Sequence, residues 1–188
     1  MTADARIRAT YDDLLKVDDK LVAELIDGEL HSSPRPGPRH ADVSSSLGMK
    51  LGPPFRFGDG GPGGWWILDE PELHLGRDVL VPDLAGWRRE RMPELPTTAW
   101  FDIPPDWICE VLSESTTLHD RIRKMPVYAH HGVAYAWLVN PVLQSLEVLR
   151  LENGRWLVLS MHAGDEKVSA EPFDAVVLDL ADLWAPPK

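Results

Sequence analysis

The chain has 188 residues, of which 44% are hydrophobic and 26% are charged, so the composition excludes a disordered protein and predicts a single globular domain over residues 1–188. The net charge of −11 argues against broad electrostatic binding to nucleic acid, although a local basic cleft is compatible with it. Its 17 prolines and 14 glycines predict short elements joined by many turns.

The first half of the chain alternates predicted helices and strands. The three apolar residues Val43, Leu47 and Leu51 recur every four positions, which is a helical spacing. Asp27-Gly28 is typical of a hairpin turn, and residues 52–64 contain too much glycine and proline for regular structure, which predicts a mobile surface loop. The predicted elements are a helix over 11–17, strands over 21–26 and 29–32, a helix over 40–51, and strands over 65–68, 72–75 and 79–87.

The second half of the chain is richer in strands. Residues 106–112 are almost continuously apolar, as expected of a central strand covered on both faces. Ser115 or Thr116 can cap a helix that runs to about His130 and ends at Gly132. Further strands are predicted over 135–139, 145–151, 155–160 and 173–178, followed by a short tail over 180–184. This order predicts an α/β fold with one mixed central β-sheet flanked by helices.

Cys109 is the one cysteine of the sequence, so no disulfide can form within the chain and a reducing, cytoplasmic location is expected. No signal peptide is apparent, and no apolar run approaches the ~20 residues that span a bilayer. We therefore expect no membrane partner.

Two acidic residues lie in unexpected places. Asp83 interrupts the apolar segment VLVPDLAGW, and Glu110 interrupts WICEVL. Charged residues are rarely buried unless they are paired or bind a metal. Each acid could be a strand-end residue in water or half of a buried salt bridge. A pair on successive strands can instead hold Mg²⁺ or Mn²⁺, because hard cations take carboxylate, water and phosphate oxygens. Asp83 and Glu110 are therefore the predicted metal ligands.

A series of segments gives the sequence a resemblance to a known family. The segments are AELIDGEL at 23–30, SPRPGPRH ending at His40, VPDLAGW at 81–87, WICEVLSEST at 107–116, DRIRK at 120–124, Tyr128, HGVAYAWLVNP at 131–141 and the closing hairpin. Together they resemble the PD-(D/E)XK nuclease superfamily, and more closely a restriction endonuclease family abundant in cyanobacteria and actinobacteria. The resemblance covers roughly residues 10–160 and implies a restriction-endonuclease-like fold with a metal-dependent activity on DNA.

The resemblance also implies roles for single residues. Asp83 takes the place of the first acid of the motif and Glu110 that of the second. The motif has lysine two positions after the second acid, where this chain has Leu112, and Lys124 on the next helix matches the relocated lysine. Lys124 would orient the attacking water. The alternative is a solvated helix charge paired with Asp120. Replacement of Lys124 by alanine is expected to change stability little.

Further candidates are open to two interpretations. Glu24 matches an acidic residue of the family and is either a third acid near the metal or a surface charge of the hairpin. His40 is either catalytic or a solvated residue at a helix N-terminus. A basic rim around the site, or else a set of solvated surface charges, is formed by Arg88, Arg89, Arg91, Arg121 and Arg123.

Three functions are compatible with the sequence. The acids and Lys124 favour a metal-dependent DNA endonuclease, for which DNA is the partner. A degenerate nuclease fold could instead bind nucleic acid or protein without cleavage. The acidic net charge favours an interaction module, in which Trp65, Trp66 and the strand-rich second half form a dimer face. A homodimer is expected for an enzyme that cuts both strands.

Overall fold

A computed structural model describes residues 8–114 and 116–184. Its helices are α1 (Tyr11–Leu14), α2 (Pro38–Leu51), α3 (Thr117–His119) and α4 (Met125–His130), with π-helical segments at Gly52–Phe57 and Asp120–Lys124 and a 3₁₀ turn at Leu180–Leu183. Its strands are β1 (Leu21–Ile26), β2 (Glu29–Pro34), β3 (Trp65–Asp69), β4 (Leu73–Leu75), β5 (Asp78–Leu80), β6 (Leu84–Arg88), β7 (Trp107–Val111), β8 (Tyr135–Asn140), β9 (Ser145–Glu152), β10 (Arg155–Ala163), β11 (Lys167–Val168) and β12 (Leu178–Asp179).

The described strands form a mixed central sheet and two smaller antiparallel sheets. The central sheet has six strands in the order β10-β9-β8-β7-β6-β3, and β7 and β8 are its parallel pair. The second sheet has the order β2-β1-β5-β4, and β11 pairs with β12. The predicted α/β fold with a mixed central sheet is thus confirmed, and the second sheet is an addition that the sequence did not indicate.

Strand β7 separates the two sides of the core. Trp107, Cys109 and Val111 belong to one cluster of buried residues, together with Val43 and Leu47 of α2. Ile108 belongs to the other cluster, together with Tyr128 of α4. Because side chains alternate along a strand, Glu110 faces the same side as Ile108, toward the helix that carries Lys124. This alternation fixes the side of the sheet on which the candidate site lies.

Three predicted elements were wrong in detail. The strand predicted over 79–87 is divided between β5 and β6, which lie in different sheets, because Pro82 cannot donate a ladder hydrogen bond. The loop predicted over 52–64 begins with the π-helical segment Gly52–Phe57, which continues α2. The final strand predicted over 173–178 is absent from the described residues, where Phe173 instead fills the core and only Leu178–Asp179 pairs as a strand.

The helix predicted up to His130 is confirmed from Thr117 onward, with a π-helical segment inside it. Ser115, one of its two proposed caps, lies outside the described residues. Thr116 occupies the N-cap position, and its Oγ1 lies 2.9 Å from the hydroxyl oxygen of Ser113. None of the helices in residues 8–114 and 116–184 has the length and apolar character needed to cross a membrane.

The proposed contact surface at Trp65 and Trp66 is wrong for the first of them. Trp65 is only 3% exposed and packs in the core. Trp66 is half-buried and donates its indole N–H to the Met92 carbonyl at 2.9 Å. A dimer face therefore cannot use the Trp65 side chain.

Candidate active site

Asp83, Glu110, Lys124, Glu24 and His40 all line one cavity of about 350 Å³. Their side chains come from five places in the fold: the break between β5 and β6, strand β7, the end of the second π-helical segment, strand β1 and the first turn of α2. The pairing of Leu25 with Val79 brings β1 beside the break, and the pairing of Leu84 with Cys109 brings Asp83 beside β7. The structure thus brings together the five residues that the sequence predicted as catalytic or metal-binding.

The Lys124 ammonium lies at the centre of this cluster. It is 2.9 Å from Oε1 of Glu110 and 2.9 Å from Oε1 of Glu24, and it donates to the Val81 carbonyl at 3.0 Å. The residue is only 4% exposed. Burial alone would lower the pKa of Lys124, but the surrounding carboxylates, Glu110 first and Glu24 next, outweigh it and raise that pKa well above its usual value. Lys124 is therefore a buried cation and not a solvated helix charge.

This burial changes the basis of one expectation. Lys124→Ala was expected to leave stability nearly unchanged, because lysine to alanine on a helix costs little propensity. In the structure the substitution would leave two buried carboxylates without their shared cation. Removing one partner of a buried ion pair is strongly destabilising. Asp120, the alternative partner one turn away, is more distant, at 3.9 Å from the ammonium.

Glu110 is held from two sides. The Tyr128 hydroxyl donates to its Oε1 at 2.7 Å, and the Lys124 ammonium donates to its Oε2 at 3.0 Å. The residue is 2% exposed. Burial raises the pKa of Glu110 well above its usual value in spite of the opposing charge of Lys124. Burial and the adjacent Glu110 also raise the pKa of the Tyr128 phenol.

Glu24 is not a surface charge of the hairpin. Its Oε1 accepts the Val81 N–H at 2.9 Å, and its Oε2 lies 3.2 Å from Nε2 of His119. Burial would raise the pKa of Glu24, but Lys124, His119 and the Val81 N–H outweigh burial and lower it to about 2. Glu24 and Lys124 thus bind the N–H and the carbonyl of the residue just before Pro82, which satisfies the backbone at the break.

Asp83 and His40 form a close pair. Nε2 of His40 lies 2.5 Å from Oδ1 of Asp83, and the Val111 N–H donates to Oδ2 at 2.7 Å. Both side chains are about 15% exposed and border the cavity. The solvated interpretation of His40 is therefore wrong, because α2 directs this imidazole at the first acid of the motif.

Two residues of the cluster were not predicted as site residues. Tyr128 lies four positions after Lys124, a spacing that places both on one helix face, so this signal was present in the sequence. His119, which contacts Glu24, carried no comparable signal because β1 and α3 meet only in the folded chain. The expected basic rim is absent from the cavity lining, whose residues include Arg35 but none of the five arginines proposed for that rim.

The donor set fits a hard divalent cation. Asp83 and Glu110 present carboxylate oxygens to one cavity, as Mg²⁺ and Mn²⁺ require. Among the described residues, no group of three or more His, Cys, Asp or Glu side chains forms a preformed metal cage. Mg²⁺ typically takes one or two carboxylates and completes its shell with water and phosphate oxygens, so a cage is not required.

The mixed sheet with its flanking helices and its cavity of acids beside a lysine defines an α/β protein of the restriction-endonuclease-like class. The chain belongs to the Uma2 family, described as "Putative restriction endonuclease", whose profile matches residues 8–181. A crystal structure described as "a putative nuclease belonging to DUF820" from Anabaena variabilis is similar, with 22% identity and a TM-score of 0.71 over 93% of this chain and 97% of that one. A comparison with curated proteins gives no match.

Proposed function

We propose that this protein is a metal-dependent endonuclease that hydrolyses DNA phosphodiester bonds. The observation that carries the proposal is the position of Lys124, whose ammonium lies 2.9 Å from Glu110 in a cavity that Asp83 also lines. The family match supports the same reaction class. We further propose that the protein acts in the cytoplasm as a homodimer.

In this proposal Asp83 and Glu110 hold Mg²⁺ or Mn²⁺. The bound ion would polarise the scissile phosphate and lower the pKa of a water molecule. Lys124 keeps its proton and supplies a fixed positive charge beside the carboxylates. This charge would offset the negative charge that develops on the phosphate oxygens during hydrolysis. Its donors are directed by Glu24 and the Val81 carbonyl, so the ammonium is oriented before substrate arrives.

The surrounding residues position the two acids. Tyr128 holds one Glu110 oxygen through its hydroxyl, and His40 holds one Asp83 oxygen. Such contacts restrict the rotamers of the two carboxylates. This matters because Mg²⁺ demands a near-ideal octahedral arrangement of its oxygen ligands. Glu24 and Glu110 share the charge of Lys124.

The degenerate, non-cleaving alternative rests on the same observation. Lys124 is fully engaged by Glu24 and Glu110, so the cluster could stabilise the fold without catalysis. Cleavage of supercoiled and single-stranded DNA by wild type and Glu110→Gln, with Mn²⁺ and with EDTA, distinguishes the two. The nuclease proposal expects Mn²⁺-dependent cleavage by wild type only. Equal cleavage by both proteins would assign the activity to a contaminant and refute the proposal.

A further inference from the structure

A second concave surface adjoins the candidate active site. It has a volume of about 450 Å³, and we call it the α2 groove; Ser44, Gly48, Met49, Arg56, Phe57 and Asp69 are among the residues that line it. Ser44 lies one helical turn beyond His40, and Leu84, another lining residue, directly follows Asp83. The lining of the groove therefore starts one helical turn from His40, at Ser44, and runs along α2 to Met49 and on to Phe57.

The far end of the groove exposes large apolar side chains. Phe57 is 73% exposed and Met49 is 68% exposed, whereas Phe55, two residues before Phe57, is 2% exposed. Phe57 closes the first π-helical segment, and Gly58 follows with a left-handed φ of 77° that turns the chain away. Two large apolar side chains exposed in one groove indicate a contact surface for another molecule.

A cation accompanies this aromatic ring. The Arg56 guanidinium lies 5.5 Å from the centroid of Phe57 and donates to the Ile67 carbonyl at 3.0 Å. A guanidinium has five N–H donors, so it can bind a phosphate oxygen and keep this hydrogen bond. Near the active site the groove is acidic instead, because Asp69 lies there and accepts from the Ser44 hydroxyl at 3.3 Å. A polyanion would therefore place its backbone at Arg56 and away from Asp69.

We infer that the α2 groove binds a short unpaired DNA strand that flanks the cleaved segment, with one base stacked on Phe57 and a phosphate on Arg56 at the far end of the groove. This inference rests on the proposed nuclease function. Proteins that bind single strands combine aromatic platforms with cationic side chains, because an unpaired base exposes its face for stacking. A duplex keeps its base faces stacked and offers Phe57 nothing equivalent. The substrate class is thus DNA with a single-stranded segment that flanks the cleavage point.

The test measures binding without cleavage. Fluorescence anisotropy of a labelled thymidine oligonucleotide of about 12 nucleotides, a length within single-strand site sizes, is followed in EDTA for wild type, Phe57→Ala and Phe57→Trp. Met161→Ala is the matched control, because Met161 is 67% exposed on β10 and lies outside the groove. The expected result is affinity weakened about 5-fold to 100-fold by Phe57→Ala and retained by Phe57→Trp and Met161→Ala.

Other outcomes overturn the inference. The proposed strand is excluded if wild type shows no binding of the oligonucleotide or if Phe57→Ala binds it as tightly as wild type. The same assay with duplex DNA gives a third check. A Phe57→Ala loss of affinity that is equal for single-stranded and duplex DNA also excludes the proposed strand. Light scattering measures the mass of the assembly in solution. If Phe57→Ala lowers this mass and leaves DNA affinity unchanged, the groove binds a second copy of this chain and not DNA. Failure of the nuclease proposal has a different result. A protein that binds single strands through Phe57 but cleaves no DNA would support the binding role of the α2 groove and refute the nuclease proposal.

Discussion

Lys124→Met tests whether the buried ion cluster stabilises the fold. Methionine preserves the length of the side chain and removes the charge that Glu24 and Glu110 share. Breaking a buried ion pair by removal of one partner costs about 3–5 kcal/mol. The Glu24 pKa of about 2 instead of 4.5 corresponds to about 3 kcal/mol, to which the charge of Lys124, His119 and the Val81 N–H all contribute.

The assay is thermal or urea unfolding followed by circular dichroism. For a chain of this size the loss of about 3–5 kcal/mol lowers Tm by roughly 6–20 °C. The matched control is Lys50→Met, which removes an exposed ion pair with Asp182 and should cost no more than about 1 kcal/mol. If Lys124→Met unfolds within about 1 kcal/mol of wild type, the cluster does not stabilise the protein as argued.

The pH dependence of this difference gives a second check. In wild type the folded pKa of Glu24 is depressed, so its stabilising contribution is present above about pH 4.5 and is lost as the pH falls toward about 2. Without Lys124, burial raises that pKa, and the cost of a buried carboxylate disappears on protonation. The stability difference between the two proteins should therefore begin to shrink above pH 4.5, where Glu24 of the variant becomes protonated, and continue to shrink as the pH falls toward about 2. A difference that stays constant over this range would contradict the assigned role of Glu24.

Three further outcomes are expected. Tyr128→Phe removes the hydroxyl that donates to buried Glu110 at 2.7 Å, so urea unfolding should show a loss of about 1–3 kcal/mol; an unchanged midpoint would mean that this hydrogen bond is not formed. Mg²⁺ or Mn²⁺ should raise the Tm of wild type by mass action but not that of Asp83→Ala, and calorimetry with equal, negligible heats for both would exclude the metal site. Light scattering should give twice the chain mass of 21.1 kDa, and a mass near 21 kDa at every concentration would exclude the homodimer.

The location of the acidic residues was predictable from local sequence. Asp83 and Glu110 interrupt apolar strands, and a buried carboxylate needs a partner wherever the strands lie. The central sheet was also predictable, because β7 is apolar on both faces and the hairpins carry clear turn residues. The spacing of Asp120, Lys124 and Tyr128 indicated a shared helix face but not what that face contacts.

The remaining features depend on contacts between distant segments. At the break before Pro82, Glu24 of β1 accepts the Val81 N–H and Lys124 of the second π-helical segment donates to the Val81 carbonyl. These two residues lie 57 and 43 residues away from Val81 in sequence. The burial of Lys124 follows from these contacts, so helix propensity alone is an insufficient basis for the stability of Lys124→Ala. The pairing of His40 with Asp83 likewise depends on where α2 packs. Such contacts are set by topology, which the local pattern does not encode.

The most direct test of the nuclease proposal is the rate of DNA cleavage as a function of Mn²⁺ concentration for wild type and Asp83→Asn. Asparagine keeps the shape of the side chain and removes the negative charge of the proposed metal ligand. Asp174→Asn is the control, because Asp174 is exposed and lines neither the candidate active-site cavity nor the α2 groove. The account predicts saturable, Mn²⁺-dependent cleavage by wild type and Asp174→Asn and none by Asp83→Asn. Cleavage by Asp83→Asn with the wild-type rate and Mn²⁺ dependence would contradict it.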